Sequence, residues 1–106
     1  MDNLEKVLHS LVEEVKEYLH IVNNDDDTNL HNLIKRGYAT IESMCGVFDL
    51  EKDVEGRSLV IEWVRFHWLG AGEHFEDSYQ CRIDSFAWKL EGAKHDSKEN
   101  KNSTSI

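Results

Sequence analysis

The sequence predicts an all-α fold, a small four-helix bundle with a flexible polar C-terminal tail. Three observations predict it. Apolar residues recur at three- and four-residue steps in separate segments. The 106-residue chain contains no proline. No segment offers the partner that a lone strand needs to pair its backbone groups. The length fits one domain, divided here into a helical domain over 1–90 and a tail over 91–106.

The first helix is expected over residues 3–20. Leu4, Val7, Leu8, Leu11, Val12, Val15, Tyr18 and Leu19 form one stripe, with Glu13, Glu14, Lys16 and Glu17 on the wet side. Asn23 through Asp27 break the pattern. Their carboxylates can cap the orphan N–H groups of a following helix and complement its dipole. That second helix reads 28–45, with Leu30, Leu33, Ile34, Tyr38, Ile41, Met44 and Cys45 inward. Gly46 follows at the natural C′ position. Gly37 costs local helix propensity and reads as a close-packing site.

A loop over 46–56 can be tacked down by Val47, Phe48, Leu50 and Val54. The segment over 57–69, with Leu59, Val60, Ile61, Trp63, Val64, Phe66, Trp68 and Leu69, suits a buried strand or a buried helix by composition. The missing strand partner favours helix. Being apolar almost all round, it belongs at the centre or under a neighbouring subunit. After Gly70-Ala71-Gly72, a fourth helix over 73–90 places Phe75, Tyr79, Ile83, Phe86, Ala87 and Leu90 on one face. From Glu91 onward the chain is polar and without aromatics, the composition of a disordered tail.

Charge narrows the function classes. The net charge is −9, and the residues beyond 90 contribute three acids (Glu91, Asp96, Glu99) against three lysines (Lys94, Lys98, Lys101). The whole excess therefore lies on the helical body. Duplex DNA carries about one negative charge per 1.7 Å of axis, so direct DNA binding is disfavoured. An acidic body suits a surface that must not stick to DNA, or a mimic of DNA. No apolar run approaches the ~20 residues of a membrane span. The acidic start Met1-Asp2-Asn3-Leu4-Glu5 is unlike a secretory signal, so a cytoplasmic chain with reduced thiols is expected. Cys45 and Cys81 both read as small hydrophobes on apolar faces.

Chemistry is hard to find. His9, His20, His31, His67, His74 and His95 show no paired ligand spacing, and a zinc site needs about four convergent ligands. Asp25-Asp26-Asp27 lacks the alternating acids, glycine and closing glutamate of a calcium loop. No nucleophile elbow, phosphate-binding loop or dinucleotide fingerprint is present. The expectation is no enzyme, no metal and no cofactor.

The unusual feature is aromatic. Trp63, Phe66, Trp68, Phe75, Tyr79, Phe86 and Trp88 crowd between positions 63 and 88, interleaved with Arg65 and Arg82. Core packing explains most of these rings, but a bundle this small cannot hide them all, and Trp68 and Trp88 are expected outside. Exposed Trp, Phe and Arg mark protein–protein contacts. Trp63, Phe66, Trp68, Phe75, Trp88, Arg65 and Arg82 are therefore the candidate subunit-interface residues.

Three stretches carry a resemblance. They are Leu11-Val12-Glu13-Glu14-Val15-Lys16-Glu17-Tyr18-Leu19 with the acidic turn and Leu30-His31-Asn32-Leu33-Ile34; Ala39-Thr40-Ile41-Glu42-Ser43-Met44-Cys45-Gly46; and Val60-Ile61-Glu62-Trp63-Val64-Arg65-Phe66 continuing through Phe75-Glu76-Asp77-Ser78-Tyr79. Their order over residues 11–90 resembles the head–tail connector (adaptor, or DNA-packaging) family of long-tailed bacteriophages. The chain departs from the family pattern at Trp63 and Trp68 and in its longer polar end.

The resemblance implies a virion protein assembled in the host cytoplasm, a homo-oligomeric ring of roughly a dozen copies docked on the portal. Such a ring extends the DNA channel without binding DNA specifically and offers a platform for a stopper or tail-completion protein. Lys94, Lys98, Lys101 and Ile106 become the portal-docking candidates. The competing expectation is a small acidic inhibitor or immunity protein that mimics DNA.

Overall fold

A computed structural model describes residues 3–102, with side chains described through residue 92. The described chain holds four α-helices and one short 3-10 turn, with no strand among the described residues: α1 (Asn3–Tyr18), α2 (Asp27–Cys45), α3 (Val54–Trp68) and α4 (Phe75–Asn102), the last preceded by the turn Gly72–His74. Helices α2 and α3 form the central pair. Helix α4 lies against both, while α1 packs chiefly on α2 and touches α3 more lightly.

Helix α1 buries Val7, Leu8, Leu11, Val12 and Val15, as its stripe dictates. Lys16 is buried with them, at 6% exposed, where the sequence places it on the wet side. Its ammonium reaches past the helix end to Asn24 Oδ1 (2.5 Å) and Asp27 Oδ1 (2.8 Å). The stem of a lysine can lie along apolar surface while its head finds partners at the edge. The acidic turn therefore works differently from the expected cap. Asp26 at the N-cap makes no side-chain capping bond, and Asp27 anchors α1 to α2 through Lys16 while sitting in the dipole-favoured first turn.

Helix α2 turns Leu30, Ile34, Gly37, Ile41 and Cys45 inward. Gly37 is the expected close-packing site: a Cβ there would stand 2.8 Å from Trp63 Cε3. Gly46 leaves the helix at φ +117°, a conformation glycine adopts without strain. The Cys45 thiol is buried and donates to the Ile83 carbonyl (3.6 Å). Cys81, expected on an apolar face, is exposed, because it lies on the side of α4 away from the body.

The loop between α2 and α3 is tacked down by Phe48 and Leu50, whereas Val47 and Val54 are exposed. Tyr38 donates to the Phe48 carbonyl at 2.7 Å, and Phe48 meets Phe86 edge to face. Helix α3 starts at Val54, before the expected residue 57. Asp53 caps it by accepting from the Gly56 N–H at 3.2 Å, the role of an N-cap carboxylate. The segment is helix, and it is central. Leu59, Val60, Trp63 and Val64 are buried under α2, α4 and α1, while Ile61, Phe66 and Trp68 are half-buried against the same core.

Helix α4 buries Phe75, Ile83 and Phe86. The apolar pattern ends at Leu90 but the helical backbone runs on to Asn102. Position 90 is thus the end of the packed face, not of the helix. The residues beyond it are polar, and six of the twelve from 91 to 102 are alanine, lysine or glutamate, good helix formers, with no proline among them.

Candidate assembly surfaces

The predicted interface residues divide sharply. Trp63 (6% exposed) and Phe75 (1%) are built into the core. Gly37 faces one side of Trp63, His67 stacks on its ring at 3.7 Å, and the Arg36 guanidinium lies 5.8 Å from its centroid. Phe75 stacks on Tyr79 and meets Phe66 edge to face. Neither ring can reach a neighbour without unfolding its own surroundings. Phe66 and Trp68 are half-buried against the core. Trp88 stands 81% exposed. Of the two tryptophans expected outside, Trp88 is out and Trp68 is halfway. Lys94, Lys98 and Lys101 fall on the helical extension of α4, beyond the described side chains, and Ile106 lies outside the described residues.

Arg65 is committed to a polar cluster that the sequence did not single out. Glu62 on α3 accepts from Arg65 Nε (2.8 Å) and Tyr79 Oη (2.9 Å) at one oxygen and from Tyr18 Oη (2.9 Å) at the other. This carboxylate joins α1, α3 and α4, and Arg65 also lies 5.0 Å from the Phe66 centroid. Burial alone would push the Glu62 carboxyl up, but the bonds from Arg65, Tyr18 and Tyr79 outweigh it and hold the group below its ordinary value. The bond to Glu62, more than burial, pushes the Tyr18 hydroxyl up. An ionised carboxylate with both oxygens engaged is a poor general base, and the cluster reads as a clamp between helices. Its signal in the sequence was a glutamate three residues before Arg65, set within the apolar run from Leu59 to Leu69.

Beside the clamp, α1 and α3 diverge into an open groove of about 460 Å³. Two cross-links bridge it, the Tyr18–Glu62 hydrogen bond and an Arg57–Glu14 ion pair at 2.7 Å. Arg82 sits on the other side of α3. It donates to Ser58 Oγ (3.0 Å), lies over the Tyr79 ring at 5.3 Å, and keeps its side chain 43% exposed.

The histidines are scattered. His67 is held between Trp63 and Gly72, with its Nδ1 2.9 Å from the Trp63 carbonyl oxygen. His31 pairs with Glu5 at 3.3 Å, and His74 with Glu73 at 3.6 Å. Among the described residues no group of three or more His, Cys, Asp or Glu could hold a metal ion, and no helix is long and apolar enough to cross a membrane. No protein-family model, no curated protein and no solved structure matches the chain.

Proposed function

We propose that this chain is a structural subunit of a bacteriophage head–tail connector ring, docked on the portal and lining an extension of the DNA channel. The observation that carries the reading is the ordered set of motifs over residues 11–90 that resembles the connector family. Two physical features support it. The net charge of −9 lies wholly on the folded body, which keeps a passing duplex off the wall over a screening length of ~8 Å. The body also completes its own core and still leaves Trp88 in solvent, a large apolar ring of the kind that anchors protein contacts.

In this role the Glu62 clamp and the Lys16 anchor keep the helices fixed relative to one another, so that a ring of copies has a defined shape. The next connector or tail component attaches to the ring's free end, and no cofactor takes part. The test is to incubate the purified chain with isolated portal rings and examine them by negative-stain microscopy. A layer of density added to the portal ring is expected. Portal rings unchanged at saturating concentrations of the chain would contradict the proposal.

A further inference from the structure

Helix α4 has two usable faces. Phe75, Ile83 and Phe86 are spent on the body. On the outer side, Ser78, Cys81, Ser85 and Trp88 recur at alternating three- and four-residue steps, and all four are exposed. That spacing is the a/d pattern of a helix that pairs with another. The residues themselves are small apart from Trp88 and would say little alone.

The charges on either side say more. Asp77 and Asp84 each stand one position before a seam residue, Glu91 continues the series one heptad on, and Arg82 and Lys89 each stand one position after a seam residue. In heptad terms every g position is acidic and both e positions are basic from Asp77 to Glu91; the sorted pattern stops at Gly92. In a parallel pair of helices the g flank of one faces the e flank of the other, whereas in an antiparallel pair like flanks meet. A second copy running in the same direction is therefore the occupant whose charges fit, because one helix carries both halves of the match. Two bodies of charge −9 otherwise repel, so a contact between copies needs a place where the charges are sorted.

We infer that a second copy of this chain packs along the outer face of α4, the two helices parallel, with Trp88 at the centre and Asp84 of one copy facing Lys89 of the other. Asp84 has a local partner in Gln80 Nε2 at 2.9 Å, and Arg82 is tethered to Ser58 and paired with Glu55 at 3.9 Å in its own chain, so both flanks are held in place beforehand and Asp84 with Lys89 is the pair that forms across the contact. The contact closes around a two-fold axis. It goes beyond the ring reading, since it describes how free subunits pair and involves no portal.

Sedimentation velocity on the intact chain from about 1 μM to about 1 mM tests it. A monomer–dimer equilibrium is expected, weakened at least about tenfold by Trp88→Ala; circular dichroism of the same sample checks that the helices remain. Asp84→Lys or Lys89→Glu alone should weaken the dimer about threefold to tenfold, and the two together should restore it. In the parallel register each Cys81 lies across from its copy, so mild oxidation should give a disulfide-linked dimer that Cys81→Ser abolishes. A monomer throughout the range, a dimer indifferent to Trp88→Ala, a double reversal that fails to rescue, or a dimer without Cys81 cross-linking would each overturn the inference. None of these outcomes bears on portal binding, and failure to bind portal rings leaves the pair intact.

Discussion

Trp63 on α3 and Trp88 on α4 are the same side chain in opposite surroundings. Trp63 is 6% exposed, enclosed by Gly37, His67 and Arg36, whereas Trp88 is 81% exposed on a helix whose other side is fully used. The difference follows from where the helices sit. Helix α3 is central, and its residues Leu59, Val60, Trp63 and Val64 are consumed by α1, α2 and α4 around it. Helix α4 lies at the outside of the bundle, and a ring on its far face has nothing of its own chain to meet. Aromatic crowding in a sequence therefore mixes two signals, a core that needs filling and a surface that awaits a partner. Helix position separates them.

The largest expected effect lies on the inner side of this comparison. Trp63→Ala should cost ~3–5 kcal/mol in urea or thermal unfolding, while Trp88→Ala in dilute solution should change stability by less than ~0.5 kcal/mol. Comparable losses from both would erase the distinction. Gly37→Val attacks the same contact from α2. Even a Cβ there would stand 2.8 Å from the Trp63 ring, so the larger side chain should cost ~1–3 kcal/mol and shift the Trp63 fluorescence. An unchanged midpoint would mean the two helices separate more easily than their packing implies.

The Glu62 clamp should give a pH signature. Its folded value lies below the ordinary one, so its contribution is fully present above the unfolded value near ~4.3 and is lost as pH falls through the folded value. Wild-type stability should therefore fall more steeply below about pH 4 than that of Glu62→Gln. Parallel pH profiles would show that the three donors do not favour the charged form. The smallest effect is expected at the far end of α4. Removing residues 93–106 should move the melting temperature by no more than ~1–2 °C, because the packed face ends at Leu90, while attachment to portal rings weakens. A large drop would place that segment in the body's packing.

Much of the fold was legible. The stripes of α1 and α2 gave their helices within a few residues, that of α4 gave its start but not its end at Asn102, Gly37 marked a close approach, and the strand-like segment is helical, as the lack of a strand partner requires. What periodicity could not reveal were contacts made by long polar side chains. Lys16 falls on the polar side of its wheel, yet its four-carbon stem lets the head travel to Asn24 and Asp27. Glu62 looks like an isolated charge until the fold brings Tyr18, Arg65 and Tyr79 to it. The early start of α3 was hidden because its cap, Asp53, is one of three acids in the loop, with Asp49 and Glu51. The interface candidates were split by depth: Trp88 is exposed as expected, whereas Trp63, grouped with it as an interface candidate, is core because its helix is central.

The central claim is that this body folds without the outer face of α4 and keeps that face for another subunit. The melting temperature of the wild-type chain measured against its concentration tests this most directly, because an association that favours the folded state raises the midpoint by mass action. A rise of roughly 3–5 °C per tenfold above the dissociation constant is predicted, flattened by Trp88→Ala. A wild-type midpoint that stays constant up to millimolar concentration would contradict the account.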